Sequence, residues 1–437
     1  MWCNNLFSRA LALMALASLI TACGGGGGGS TPAPALPNTP SLTGLPIPPV
    51  VTNQLGIYVD AGPPNTGYNV NRLYTDVTIC YPGRSTAGSA TQCQTIDHVL
   101  VDTGSTGLRL LSSAMAPALN LGHVTGASGF PLLNCAQFVD STYAWGPVVS
   151  ADIVLAGMKA NNVPIQVMGD ASFNSLATAA VCSGTTALTT VQELGAKGII
   201  GLGLFKEDCG QDCVNHVGNG RYFTCSNASC TATVLSKATL DQQVNNLVPL
   251  FAGDNNGVVV DLPAVVQVSL PSLTGSLYFG IGTRSNNTMN SGSMLAPQYT
   301  VGAGWTNYIT TVLPAATFLT SFIDSGSNGL YFDSSSITKC VGDKMTDFYC
   351  PGSTATTTFS ATLQGANAVT KSVSFSVGNA SALFTTGNPV LPTLAGSIGF
   401  AGAGAFDWGL PFFYGRRIGF GIEGQSTSLG VGPFYAF

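Results

Sequence analysis

Charge is what this chain has least of. Of its 437 residues, 8% are Asp, Glu, Lys or Arg, where a soluble domain carries about a quarter. Glutamate occurs only as Glu193, Glu207 and Glu423. The net charge is −5 and no basic patch stands out, so nucleic acid is not expected as a partner. Histidine is equally scarce. His98 and His123 have no ligand-like neighbours, and no His-Glu-x-x-His motif occurs; no cofactor and no metal are expected. No stretch after the N-terminus reaches the roughly 18 uninterrupted apolar residues of a membrane-spanning helix. What the chain does have is 54 glycines, abundant Ser and Thr, and 45% apolar residues. That mixture suits many short strands and turns around a sizeable core, with few helices. Strand-like runs recur at Leu73 to Ile79, Val148 to Leu155, Ser372 to Val377 and Arg417 to Ile422. Val234 to Leu247 is the best helical candidate.

The N-terminus reads as an export signal. Arg9 supplies a positive start and Ala10 to Ile20 an apolar stretch of 11 residues, too short to span a bilayer as a helix. Ile20-Thr21-Ala22-Cys23 matches a bacterial lipobox, with Cys23 the expected lipidation site and new N-terminus. Six glycines and a Ser/Thr/Pro-rich run follow. Residues 24–53 are therefore expected to be a tether without enough apolar content to fold. The expected setting is a bacterial cell envelope, lipid-anchored at the outer membrane, with the membrane contacted through that anchor.

Twelve cysteines fit that compartment. Cys3 leaves with the signal and Cys23 takes lipid. The ten that remain are an even set, expected to form disulfides outside the cytoplasm. Close spacing favours Cys80–Cys93, Cys209–Cys213, Cys225–Cys230 and Cys340–Cys350, which leaves Cys135–Cys182. An insertion at 206–230 holds four of them with His216. Those residues could also compose a zinc set, but a stapled surface loop is the expected outcome.

Two stretches nearly copy each other. Val101-Asp102-Thr103-Gly104-Ser105-Thr106-Gly107-Leu108 and Ile323-Asp324-Ser325-Gly326-Ser327-Asn328-Gly329-Leu330 both follow an apolar, β-rich run. A single Asp-x-Gly-Ser would be ordinary turn chemistry. Two copies, 324 − 102 = 222 residues apart, suggest a duplicated half and an axis that brings the carboxylates together. Two adjacent carboxylates share a proton, so one can act as base toward a water while the other donates.

The twin motif resembles the active-site signature of pepsin-like aspartic peptidases, which occurs once per lobe. Gly198-Ile199-Ile200-Gly201-Leu202-Gly203-Leu204-Phe205 resembles the apolar segment that crosses behind the first catalytic loop, and Gly409-Leu410-Pro411-Phe412-Phe413 its partner. Gly275 to Gly282 resembles the opening of the second lobe. The resemblance implies an all-β, bilobal fold of two pseudo-symmetric, barrel-like lobes, one over 54–250 and the other over 251–437. It implies an aspartic endopeptidase acting on peptide or protein substrates, in a monomer. Asp102 and Asp324 would hold the catalytic water. Thr103 and Ser325 would cross-bond to the opposite loop, and Ser105 and Ser327 would bond the outer carboxylate oxygens. Gly104 and Gly326 would let backbone N–H groups approach the carboxylates. Three departures go with it. Arg109 stands where the family has an aromatic behind the flap. The flap region, Phe138 to Pro147, offers Tyr143 or Trp145 as a cap but is short. Asp407-Trp408 replaces two aliphatics before Gly409. These departures support a second reading, a catalytically silent lipoprotein that binds a peptide or envelope ligand in the cleft.

Overall fold

Each aspartate motif sits where a strand ends. Cys93–Asp102 brings Thr95, Ile96, Val99 and Val101, residue types that suit a pleated, half-buried surface. It stops at Asp102, the Gly-Ser turn reverses the chain, and Thr106–Leu111 returns. A third strand, Gly198–Leu202, lies between the two. It is parallel to the incoming strand, with Val101 opposite Ile200 and Asp102 opposite Gly201. It is antiparallel to the returning one, with Gly107 opposite Gly201. The second half repeats the unit. Ala316–Ile323 leads in, Leu330–Phe332 returns, and Phe406–Trp408 lies between, with Ile323 opposite Trp408 and Leu330 opposite Trp408.

The structure is a computed structural model that describes residues 52–437, apart from 86–91, 139, 179–180, 183, 227–229, 231–232, 291–293, 301–303, 343–344, 353–355 and 399–403. The expected signal, Cys23 and the tether up to residue 51 lie outside the described residues. No helix among the described residues is long and apolar enough to cross a membrane.

The first half closes on itself. Thr142–Leu155 pairs with Met158–Met168, which pairs with Thr106–Leu111; then come Gly198–Leu202, Cys93–Asp102 and Tyr74–Cys80. Tyr74–Cys80 pairs back to Thr142–Leu155, with Thr78 opposite Val154, and so completes a barrel. Closure leaves no free edge on that ring. The second half holds a seven-stranded sheet whose middle is Ala316–Ile323 and Phe406–Trp408. The fold is all-β and two-lobed, as the resemblance implied. The helices Val191–Leu194, Gln211–Asn215 and Ala380–Thr385 are short.

The lobes are not cut apart at residue 250. Gln54–Val59 pairs with Leu273–Phe279 along its length, from Gln54 opposite Tyr278 to Val59 opposite Leu273. Gly257–Asp261, Arg417–Gly421 and Phe434–Ala436 extend this sheet. The helix expected over Val234 to Leu247 is absent. Thr233–Leu235 is a strand on the edge of Tyr222–Cys225, and only a 3-10 turn, Leu240–Gln242, follows. A free ladder in the insertion outcompetes weak local helix preference. Five disulfides join Cys80–Cys93, Cys135–Cys182, Cys209–Cys213, Cys225–Cys230 and Cys340–Cys350.

Candidate active site

The two turns face one another and are cross-bonded. Ser325 N–H donates to Thr103 Oγ1 at 2.9 Å, and Thr103 N–H donates to Ser325 Oγ at 3.2 Å. Ser325 Oγ–H donates in turn to Val101 O at 2.7 Å. These bonds are buried and link positions 222 residues apart. They fix the separation of the two loops.

The carboxylates lie within that frame. Asp102 is 3% exposed and Asp324 8%. Gly104 N–H lies 2.9 Å from Asp102 Oδ1 and 3.1 Å from Asp324 Oδ1, so it bridges the inner oxygens of both. Gly326 N–H donates to Asp324 Oδ1 at 2.7 Å. The outer oxygens are held by hydroxyls: Ser105 Oγ donates to Asp102 Oδ2 at 2.5 Å, and Ser327 Oγ to Asp324 Oδ2 at 2.9 Å. Glycine is required at both turns. A Cβ on Gly104 would stand 2.6 Å from Asp324 Cγ, and one on Gly326 2.7 Å from Asp102 Oδ1. Gly104 and Ser105 are partly exposed, so the pair is open to solvent on that side.

Burial pushes the Asp324 carboxyl well above the usual carboxylate range. The charges of Asp102 and Asp407 and a hydrogen bond shared with Asp102 push the same way, while Gly326 N–H opposes them. A proton on Asp324 is favoured by that environment.

The crossing strands press onto the turns through glycine. A Cβ on Gly201 would meet the Thr106 backbone at 2.6 Å, and one on Gly409 the Gly329 carbonyl at 2.1 Å. In the second half, however, the crossing strand is Phe406–Trp408 rather than the Gly409 to Phe413 segment. The latter continues as the 3-10 turn Leu410–Phe412. Phe406 and Trp408 stack at 4.1 Å and pack on Phe332 and Phe375. Side chains alternate along a strand, so Asp407 points away from that aromatic cluster.

The remaining expected residues fall elsewhere. Tyr143 and Trp145 lie on the second arm of the hairpin formed by Leu132–Gln137 and Thr142–Leu155. Both pack into a side cluster with Cys135, Cys182 and Phe223, and Trp145 Nε1 donates to Phe173 O at 2.9 Å. The turn of this hairpin carries Asp140, which accepts from Thr142 N–H at 2.7 Å and acts on the buried Arg72. Arg109 does not reach toward a flap aromatic. Its guanidinium pairs with Asp208 at 3.0 Å, both side chains 4% exposed. Asp208 also accepts from Tyr222 Oη at 2.6 Å and Asn134 Nδ2 at 3.2 Å. Arg109 thus anchors the Cys-rich insertion to the strand that leaves the first catalytic turn. The insertion's four cysteines are oxidised in pairs, so no thiolate is left there to hold zinc, and His216 pairs with Asp212 at 2.7 Å.

Sequence reasoning did not single out Asn71. Its side chain donates to Asn328 O and Leu391 O and accepts from Leu391 N–H and Tyr414 Oη, each at 2.8 Å. It ties the first lobe to the loop following Asp324. Its φ of 47°, a conformation that asparagine tolerates, leaves only a faint trace in sequence.

A family model described as "Protein of unknown function (DUF3443)" matches residues 49–437. No curated protein matches the sequence. Among solved structures, the chain is similar to an aspartic proteinase from Irpex lacteus. The identity is 15%, the match covers 88% of this chain and 96% of that one, and the TM-score is 0.48.

Proposed function

The chain belongs to the family described as protein of unknown function (DUF3443), so its activity has to be read from its own site, and we propose that it is an aspartic-type endopeptidase. The observation that carries this reading is the Gly104 N–H shared between the inner oxygens of Asp102 and Asp324. It supports two carboxyls close enough to share one proton and one water. The charged member takes a proton from the water as the water attacks a peptide carbonyl. The neutral member protonates the carbonyl oxygen. The Thr103–Ser325 cross-bonds hold both groups in register for that step, which is a positioning contribution.

A second reading keeps the cleft without the chemistry. The hairpin supports it, because Tyr143 and Trp145 pack sideways and Arg109 is spent on Asp208. One assay separates the two. Purified protein is incubated with casein or a peptide library from about pH 3 to 7, the range around carboxylate-pair titration, with and without a statine-type inhibitor. The peptidase reading expects inhibitor-sensitive cleavage. Peptide binding without cleavage at any pH supports the silent cleft instead.

The envelope setting is part of the same proposal and rests on the Cys23 lipobox. Mass spectrometry of the mature N-terminus is expected to find lipid on Cys23; an unmodified N-terminus sinks it.

A further inference from the structure

A cavity apart from the carboxylate pair carries an arginine on its wall. Its volume is about 370 Å³, and no residue of Asp102 to Ser105 or Asp324 to Ser327 lines it. Phe375 and Phe412 do line it, and both also pack on Trp408 of the crossing strand, with ring centres 5.2 and 4.8 Å away. Arg416 is held firmly there. Its Nη1 donates to Phe412 O at 2.8 Å and its Nη2 to Ser374 O at 2.9 Å. Its guanidinium carbon lies 4.4 Å from the centre of the Phe412 ring, within reach of a cation–π contact. What it lacks is an acid. The neighbouring Arg417 pairs with Asp261 at 2.7 Å, whereas Arg416 has no carboxylate partner among the described residues. A guanidinium has more donors than two carbonyls use, and it stays charged.

Ser374 belongs to an open strand edge. Thr370–Val377 ends the seven-stranded sheet and, among the described residues, pairs only with Thr357–Gln364. Gly365 N–H donates to Val369 O, and bonded and non-bonded pairs alternate from there along an antiparallel ladder. Leu363–Lys371, Ala361–Val373 and Phe359–Phe375 are therefore the bonded pairs. Ser372, Ser374 and Ser376 turn their backbone groups outward, as the bond from Arg416 to Ser374 O requires. The next outward group along the strand is the Ser376 N–H, and Ser376 lines the same cavity.

Val266 and Val268 also line the cavity, with 87% and 67% of their surfaces exposed. Among the described residues, no Asp or Glu side chain lines it. The same holds for a second cavity, of about 490 Å³, that Arg416 borders together with Lys371 and Arg417. In a chain of net charge −5, that is a local excess of positive charge. Apolar walls with a few converging polar groups are the usual form of a ligand site. The charge selects an anion, the valines an apolar body, and the open edge a backbone that can pair with it. We propose that this cavity binds the C-terminal end of an apolar peptide, with the terminal carboxylate on Arg416 and the Ser376 N–H and the last side chains against Val266 and Val268. A planar guanidinium can give a carboxylate two parallel hydrogen bonds. This site is distinct from the cleft and does not rest on the peptidase reading.

The test uses the whole protein and two labelled forms of one tetrapeptide, Ala-Val-Leu-Phe, as its free acid and as its C-terminal amide. Fluorescence polarisation is read at about pH 7, where a terminal carboxyl is ionised. The free acid is expected to bind at least about tenfold more tightly, as a hydrogen bond to a charged group is worth. Arg416→Gln is expected to erase that ratio by weakening the acid and leaving the amide unchanged. Ser376→Pro removes the outward N–H at a strand edge, where proline is tolerated, and is expected to weaken the acid about fivefold. Ser376→Ala is expected to change nothing. Thermal midpoints on the same samples show which variants are folded. In wild type alone, equal binding of acid and amide, or no binding of either, overturns the proposal. A preference for the acid that survives in folded Arg416→Gln puts the peptide elsewhere and overturns it too. Decanoate binding as tightly as the free acid leaves the strand edge without a role and overturns the peptide assignment. Cleavage is not read, so a protein that binds the acid through Arg416 and never cleaves contradicts the peptidase reading alone.

Discussion

A buried acid whose proton affinity folding raises has a measurable consequence at the level of single residues. Asp407 and Asp324 both have folded-state proton affinities raised by burial. In the unfolded chain each ionises near pH 4. The native state then binds more protons than the unfolded state as pH rises through the ordinary carboxylate range. Stability contributed by these groups is complete below about pH 4 and is lost progressively as pH rises toward the raised values. Asp407→Asn removes one such group. Its thermal midpoint relative to wild type is therefore expected to climb between about pH 4 and pH 7; a constant difference across that range contradicts the account. Asp102 and Asp324 were legible in the sequence because each heads a repeated Gly-Ser turn after an apolar run. Asp407 was visible only as an odd residue before Gly409. The register that sets it opposite Phe322 and Tyr331 is a property of strand pairing that no local pattern encodes.

Among the elements, the crossing strands and the insertion carry the departures from symmetry. Gly198 to Phe205 reads as a buried strand because it has no charge and ends in a Gly-rich step, and the strand runs over Gly198–Leu202. Its counterpart was displaced in the reading toward Gly409 to Phe413. The aromatic pair Phe406 and Trp408 does the packing that aliphatics do in the first half. The Arg109–Asp208 pair explains why a charge stands at a core position. Both groups are nearly inaccessible, and Tyr222 and Asn134 complete the carboxylate's bonds. Removing one partner of such a pair leaves the other buried and uncompensated. Arg109→Met is expected to destabilise the fold by about 3 kcal/mol, read from urea unfolding, and Arg109→Met with Asp208→Leu by distinctly less. Equal losses in the single and double variants contradict a specific pair. The strand at Thr233–Leu235 was not legible because Val234 and Leu235 are exposed, so their spacing reports an edge ladder and not a buried helical face.

At the scale of the whole molecule, duplication gave the lobes but not the way they are joined. Gln54–Val59 pairs with Leu273–Phe279, and Asn71 bonds to Asn328 and Leu391. These contacts connect residues more than two hundred positions apart, and nothing in either segment alone announces its partner. Together with the Thr103–Ser325 cross-bonds they hold two half-sites at one separation. The central claim is that Asp102 and Asp324 work as one proton-sharing pair. The most direct test compares Asp102→Asn, Asp324→Asn and wild type for cleavage of one defined peptide, with unfolding midpoints measured on the same samples. The account predicts that each single variant loses at least about a thousandfold in kcat/KM, as groups acting as a unit do, while remaining folded. A folded Asp102→Asn or Asp324→Asn protein that still cleaves at a rate near wild type contradicts it.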